Sequence, residues 1–570
     1  MTISSKVATS TKWTELEHNG VAFPPDHVQR GINIKILGEV YFLNREQEEL
    51  IYAWAKKKDT HYVRDPVFQS NFLSDFRKAI PDRFKSVQKI DDIDMSEAFS
   101  LVDKEASIKE AEKIRIKSLP RAEKKRISQD KKLEKERLKS IYGKAKIDGI
   151  EVEVANWLVE PPGIFMGRGL HPLRGRWKPR ITAKDVILNL GEDASVPEGP
   201  WKAIVHDHNS TWLASWIENL TGKRKYVWLH DSSYLRQDND KAKYDTAKKL
   251  ENYVFDIEKE IVKQMSHTKD TTKRKVATVC YLIYKLAMRV GDEKDPDEAD
   301  TIGASTLRVE HLKFPVINDK IQIEFNFLGK DSVPWQKTLD ISSPDTRALY
   351  ENLLFYMKGK DRTDEIFEDI TSAKVNIFLR SLDKANLPNL TAKVFRTYIA
   401  TAIVKKHLSA PILKLNKNES EFKKIYVAKI ANLQAAITCN HKKGIDPKNP
   451  ASKKSWEKFE QSVTNKKEKI KQIKLELKEK MWKTEIQKFK KEQRLEKLEF
   501  QLRLQQETKD YNLGTSLRNY IDPRVFKSWC DYVNLDWTKI YTSTLQRKFK
   551  WIEQYSKSDL KKYVNIDNTR

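Results

Sequence analysis

The stretch that most limits what this chain can fold into runs from Ser452 to Asp510. It contains neither Gly nor Pro and carries 18 Lys and Arg against 11 Asp and Glu. Phe459, Val463, Ile470, Ile473, Leu477 and Met481 hold a heptad-like spacing that Leu495, Leu498 and Leu502 resume. Apolar residues recurring every three or four positions, with charges between them, are the pattern of a coiled coil. Whether this one folds back on itself is open, since no turn residue marks a tip; a reversal would fall between Met481 and Lys491. The tract separates a long N-terminal part of the chain from a short aromatic tail holding Trp529, Trp537, Phe549 and Trp551.

Cations are in excess everywhere else as well. The 570 residues carry 107 Lys and Arg against 81 Asp and Glu, a net charge of +26. That balance favours a polyanionic partner, nucleic acid ahead of a membrane surface or an acidic protein. With 14 Trp and 10% aromatic residues the chain is no disordered basic tail. Three cysteines, Cys280, Cys439 and Cys530, provide neither a disulfide framework nor a cysteine zinc site, which suits a reducing compartment. No apolar run is long enough to span a membrane. Residues 1–12 are Ser/Thr-rich and free of acids, and are expected to be a disordered tail, with a mitochondrial address as the alternative.

Periodicity places the other elements. Val40–Leu43 reads as strand, Glu46–Lys58 as helix, and Phe23-Pro24-Pro25 as a rigid turn. Met95–Lys146 reads as a strongly basic helical tract broken near Pro120; such a run is a solvated face or faces a polyanion. After Glu160-Pro161-Pro162-Gly163 come Gly167-Arg168-Gly169, Arg174-Gly175-Arg176, Lys178 and Arg180. Glycine beside arginine lets backbone amides and guanidinium forks approach phosphates closely. Strands follow at Val186–Leu188, Trp212–Trp216 and Tyr226–Trp228. Tyr244 to Val290 reads as helix, with Val276, Val279, Cys280, Ile283 and Ala287 on one face, Arg289 in the last turn and Gly291 as the stop. Ile321, Ile323, Phe325 and Phe327 alternate as a half-buried strand, and Gly329-Lys330-Asp331-Ser332 then reads as a hairpin turn with Lys330 at its tip. Thr391 caps a helix carrying Arg396, and a helix from about Lys424 to Cys439 is followed at once by His441. His206-Asp207-His208 has the residue types of a metal site, but its spacing is commoner on a strand or loop surface.

Asn519-Tyr520-Ile521-Asp522-Pro523-Arg524 opens the tail. A tyrosine before an Asp-Pro turn is ordinarily a packed aromatic. Its hydroxyl, with a pKa near ~10, is a poor nucleophile unless cations surround it and the electrophile gathers negative charge, as a phosphodiester does. Two arginines, a lysine and a histidine, each at an element end, are the cationic and polar groups such an attack needs. Each also has a plain structural use: Arg289 against a helix dipole, Lys330 keeping a hairpin tip soluble, His441 capping carbonyls.

Arg289-Val290-Gly291-Asp292-Glu293-Lys294, Asp297-Glu298-Ala299-Asp300-Thr301, Leu307-Arg308-Val309-Glu310-His311, Phe327-Leu328-Gly329-Lys330-Asp331-Ser332, Leu390 to Tyr398, Cys439-Asn440-His441 and Leu513-Gly514-Thr515-Ser516 with Asn519-Tyr520 resemble the eukaryotic type IB DNA topoisomerases, in that family's order. The Glu160-Pro161-Pro162-Gly163 loop matches too, and the resemblance runs from about Trp13 to beyond Trp551, without the family's long N-terminal extension.

The resemblance implies an α+β, multidomain clamp on duplex DNA: a tail (1–12), a DNA-binding cap (13–230), a mainly helical catalytic subdomain (231–448), a coiled-coil linker (449–510) and a C-terminal segment (511–570). It implies that Tyr520 is the nucleophile, that Arg289, Arg396 and His441 hold the non-bridging oxygens of the scissile phosphate, and that Lys330 protonates the 5′ oxygen. Arg168, Arg174, Arg176, Lys178, Arg180, Asp331 and Asn519 would add DNA contacts. A 3′-phosphotyrosine would form, the broken strand rotate, and the ends religate, with no cofactor, ATP or metal. The enzyme would be a nuclear monomer, away from membranes and with little sequence preference. Leu517, Ile399, Val333-Pro334 and Ala304-Ser305 depart from the family pattern at positions outside the five. The rival readings are a tyrosine site-specific recombinase and a non-catalytic DNA-binding scaffold.

Overall fold

The computed structural model describes residues 11–167, 170–291, 302–330, 333–382, 387, 390–409, 415, 418–443, 450–479 and 481–564. Long helices alternate with small, mostly antiparallel sheets, an α+β fold. The chain forms two compact units, one up to Arg236 and one holding the described residues from Gln237 onward. The expected tail lies almost wholly outside the described residues.

The first unit holds two cores. One packs Trp54, Phe68, Phe72 and Phe76 beneath the hairpin Asn33–Ile36/Glu39–Phe42. Its first helix, Arg45–Ala55, is set by a capping box in which Asn44 and Gln47 satisfy each other's backbone amides. The other core packs Trp13, Leu188, Leu213 and Val227 against a four-stranded sheet with the order Ala203–Val205, Ile187–Asn189, Trp212–Ile217, Arg224–Trp228. The basic tract forms two helices, Ser96–Ser118 and Arg121–Tyr142, separated at Pro120, which has no amide hydrogen to continue the first. The first begins against the core beneath the hairpin, through Ala98, Phe99, Leu101 and Val102, and the remaining described residues of both are mostly exposed.

The second unit also has two cores. Helices Val254–His267, Thr271–Leu286 and Pro344–Met357 pack on the inner face of a long hairpin, Lys320–Gly329 paired with Val333–Asp340. Ile323, Phe325 and Phe327 are buried, as the alternation predicts, whereas Ile321 is exposed. The second core gathers Ala392–Leu408, Glu421–Thr438 and Pro523–Val533 with the tail aromatics Trp529, Trp537, Phe549 and Trp551. The helical pattern predicted over Tyr244–Val290 is three helices: Tyr234–Leu250, Val254–His267 and Thr271–Leu286. No Gly or Pro marks either break; Asp270 caps the third by accepting from the Lys273 amide.

The Gly/Pro-free tract makes two helices, Pro450–Glu479 and Glu485–Glu507, which run antiparallel: Lys474 pairs with Glu499 at 2.7 Å, Lys466 reaches Gln505 and Lys491 reaches Glu476. Thr484 caps the second through the Gln487 amide. The described residues 481–484 between them are not helical, at the start of the interval in which the sequence places a reversal. Ile470 and Ile473 are buried, but Leu475, Met481, Ile486 and Phe489 are exposed.

Among the described residues no helix is long and apolar enough to cross a membrane, and no group of His, Cys, Asp and Glu could hold a metal ion. His206 meets the Leu190 carbonyl, and His208 meets the Trp13 carbonyl and Glu192.

Candidate active site

Two helix ends frame the site. The helix Thr271–Leu286 stops at Ala287, which adopts a left-handed conformation with φ 53°. Arg289 therefore lies beyond the helix, in the strap that follows, and not in its last turn as the pattern predicted. The strap is held from outside: the Ala304 amide donates to the Arg289 carbonyl at 2.8 Å, and the Ser305 amide and hydroxyl donate to the Val290 carbonyl at 2.7 and 2.8 Å. Gly291, with φ +91°, passes so close to Gly303 that a Cβ on Gly303 would come within 2.4 Å of the Gly291 backbone.

The second end is that of Glu421–Thr438. Cys439 caps it, Asn440 turns left-handed with φ 53°, and the His441 amide closes back on the Ala436 carbonyl at 2.8 Å. The His441 carbonyl accepts from the Asn512 amide at 2.7 Å, which places the short helix Leu513–Asn519 beside it.

Arg396 joins the two ends. It projects from Ala392–Leu408, whose N-cap Thr391 makes no side-chain cap bond, and donates to the Ala287 carbonyl at 2.6 Å and the Cys439 carbonyl at 3.2 Å. It is 4% exposed.

Tyr520 follows Leu513–Asn519 and is buried. Its carbonyl accepts from the Thr401 hydroxyl at 3.2 Å, and that hydroxyl accepts from the Asp522 amide at 3.1 Å. Asp522 caps Pro523–Val533 and forms a buried pair with Arg524 at 2.8 Å, so the chain is fixed on both sides of the tyrosine. Its hydroxyl accepts from Arg289 Nη1 at 3.2 Å, Arg396 lies 5.0 Å from its ring centroid, and the His441 ring stacks on it at 5.2 Å.

His441 Nδ1 is 2.9 Å from the Ser516 hydroxyl. Burial, reinforced by Arg396 and Arg289, pushes its pKa down to about 3, so the imidazole is neutral. Its Nε2 and Arg396 Nε are buried and have no hydrogen-bond partner among the described residues. Burial likewise lowers the Arg289 pKa, against the pull of the Tyr520 hydroxyl.

Lys330 follows the strand Lys320–Gly329 and is exposed. It lines one cleft together with Arg289, Arg396, Phe327, Trp335 and Asn440. The five residues predicted for the chemistry are thus brought to one place, four of them in direct contact and Lys330 at the rim.

The predicted DNA contacts fall differently. Arg168 and Asp331 lie outside the described residues. Arg174 grips Asp65 through two bonds of 2.8 and 3.0 Å, Arg176 meets Asp75 at 2.7 Å, Lys178 meets Glu160 and Glu218, and Arg180 meets Glu49 at 2.9 Å. These four cations are engaged by carboxylates within the first unit. Asn519 offers its carbonyl to Lys243 at 3.2 Å. Of the departures, Leu517 is buried in the second core, Ile399 packs against it, and Ala304 and Ser305 secure the Arg289 strap. The sequence assigned no role to Ser516, Thr401 or Lys337. Ser516 stands one helical turn before Tyr520, which was a readable signal. Lys337 occupies an inward position of Val333–Asp340, in phase with Trp335.

Comparison with known proteins agrees along most of the chain. Residues 11–229 match the model of the eukaryotic DNA topoisomerase I DNA binding fragment, 232–477 that of the eukaryotic DNA topoisomerase I catalytic core, and 492–562 that of a C-terminal topoisomerase domain. DNA topoisomerase 1 beta of Arabidopsis thaliana is 34% identical over 95% of this chain and 58% of its own length. DNA topoisomerase 1 of Caenorhabditis elegans is 35% identical over 98% of the chain and 69% of its own length, and that of Homo sapiens 34% over 95% and 70%. The chain thus spans between about half and two thirds of the relatives it matches, and it belongs to the eukaryotic DNA topoisomerase I family.

Proposed function

We propose that this protein is a type IB DNA topoisomerase that relaxes supercoiled duplex DNA without ATP or metal. The observation that carries the reading is the contact of Arg289 with the Tyr520 hydroxyl inside a buried cluster that also holds Arg396 and a neutral His441. Tyr520 Oη bonds to the phosphorus of one strand as its proton passes to water, and Arg289 favours the developing phenolate. Negative charge grows on the non-bridging oxygens, and the Arg289 and Arg396 guanidinium groups answer it in a site of low dielectric.

A neutral imidazole serves as a donor only if its free nitrogen carries the hydrogen. A Ser516 hydroxyl that donates to Nδ1 selects that tautomer and leaves Nε2–H for phosphate. Lys330, on the rim of the cleft, protonates the 5′ oxygen as its bond to phosphorus breaks. The product is a 3′-phosphotyrosine and a free 5′ hydroxyl, and the reverse sequence reseals the strand after rotation.

Duplex DNA is held mainly through phosphates by the basic surface, with little sequence preference. The first unit acts as a cap that closes on the duplex, and the helix pair 450–507 as the coiled-coil linker. The protein works as a monomer in the nucleus. Incubation with supercoiled plasmid in EDTA without ATP tests the reading: a ladder of relaxed topoisomers is expected. Recombined products at one fixed sequence, or binding with no change of linking number, would overturn it.

A further inference from the structure

Lys337 lies behind the cleft, not in it. Val333 and Trp335 of the same strand line that cleft, whereas the Lys337 ammonium runs under Trp335, 5.4 Å from its ring centroid, and donates to the Leu286 carbonyl at 2.8 Å and the Thr438 carbonyl at 2.9 Å. These are the last residues of the two helices that frame the site. Arg396 donates to the next carbonyl of each, Ala287 and Cys439. Two cations therefore tie the same two helix ends together at successive residues.

The ends need such a tie. The last carbonyls of a helix lack partners within it, and the C-terminus carries the equivalent of roughly half a negative charge. Two C-termini side by side repel each other. Burial, with Arg396 nearby and Cys439 opposing, lowers the Lys337 pKa to about 8. The helix ends also carry chemistry: Arg289 stands three residues beyond Leu286, and His441 three residues beyond Thr438. Arg289 meets the Tyr520 hydroxyl and His441 the face of its ring.

We propose that Lys337 is a positioning residue of the active site: by bridging Leu286 to Thr438 it fixes the separation of the two straps that present Arg289 and His441 to Tyr520 and the phosphate. This rests on the topoisomerase reading. Lys337 lies outside the cleft lining and acts through the two groups it aligns. Misplacement of a reacting group by about 1 Å can cost ~10²-fold in rate, so a loosened frame slows chemistry far more than it weakens binding.

The test is single-turnover cleavage of a nicked duplex that traps the covalent complex, measured beside duplex affinity and thermal unfolding. Lys337→Met is expected to lower the cleavage rate constant about 10–100-fold, with affinity nearly unchanged. Lys337→Arg, which can still donate to both carbonyls, is expected to recover most of the rate. In a His441→Ala background the same Lys337→Met change should cost much less, because one of the two groups it aligns is gone. If Lys337→Met does not fold, Lys337→Gln, able to donate to one carbonyl, takes its place with an intermediate loss expected. Wild-type cleavage by these variants, or an undiminished loss in the His441→Ala background, overturns the inference. A wild-type protein that forms no covalent complex instead overturns the reading on which it rests.

Discussion

The cluster around Tyr520 and the helix pair 450–507 are both rich in cations, and they use them in opposite ways. In the cluster Arg396 is 4% exposed and its hydrogen bonds go to backbone carbonyls rather than to carboxylates. In the helix pair Lys474, whose side chain is 54% exposed, pairs with Glu499, and Arg503 pairs with Glu507 one turn away. A carbonyl fixes a guanidinium without neutralising it, so the charge stays available to an anion in a medium of low dielectric. A surface ion pair in water is worth little and is screened by salt. The net charge of +26 therefore describes two different resources: a few desolvated cations suited to chemistry, and many solvated ones suited to holding a polyanion.

The sharpest way to break this division is Tyr520→Phe. It should abolish covalent attachment to DNA while leaving affinity almost intact, because binding is spread over the surface and attack needs one hydroxyl. Denaturant trapping checks this; a persisting adduct would place the nucleophile elsewhere. Next in size is Lys330→Ala, expected to slow cleavage by roughly 10²–10⁴ as the alkoxide loses its proton donor. A substrate with sulfur at the bridging 5′ position leaves as a thiolate, whose conjugate acid has a pKa near ~8.5, and should be cleaved by the variant at close to the wild-type rate. An equal defect on both substrates would make Lys330 a source of charge only.

A smaller effect is expected from Ser516→Ala, which releases the imidazole tautomer: about 10–100-fold, the range known for partners that orient a ligating histidine. The pH behaviour of His441 sharpens the same point. The unfolded chain takes up its proton near 6.5 and the folded site only near 3, so the stability this residue contributes is present above about 6.5 and is lost as pH falls through that interval. The His441 ring resonance of the free protein, assigned by difference with His441→Gln, should show no titration between pH 8 and 5. A midpoint near 6.5 would contradict a neutral buried imidazole. The least effect on chemistry is expected from replacing residues 450–507 by a Gly/Ser linker: cleavage and religation persist, and dissociation from DNA speeds up as salt rises. Loss of cleavage by a folded variant would show that the helix pair does more than hold DNA.

The comparison also separates what could be read in the sequence from what could not. The alternation through Ile323, Phe325 and Phe327, the break at Pro120 and the helix before His441 are local signals, and they were legible because burial repeats with the period of the element. The end of the helix at Leu286 was not. Ala287 takes a left-handed conformation that alanine disfavours, while its carbonyl is held by Arg396, 109 residues away. No window around residue 287 contains that partner. Two breaks, at 251–253 and 268–270, escaped because neither Gly nor Pro marks them, although Asp270 caps the helix after the second through the nearby Lys273 amide. At the site the residue types were legible from motifs, but their support was not: Arg396 against Ala287 and Cys439, Ser516 against His441 and Lys337 against two helix ends are pairings that only the assembled fold makes. The arginines of the Gly/Arg loop show the converse. Their composition suggests free phosphate ligands, yet Arg174, Arg176 and Arg180 each meet an aspartate or glutamate distant in sequence.

In the proposed reaction the buried cluster makes Tyr520 the residue that attacks DNA. Digestion of the trapped wild-type complex and sequencing of the peptide that carries nucleotide tests this most directly. The expected result is one modified peptide, bearing Tyr520, linked to the 3′ phosphate of the cleaved strand; modification of another residue, or linkage to a 5′ end, would contradict it.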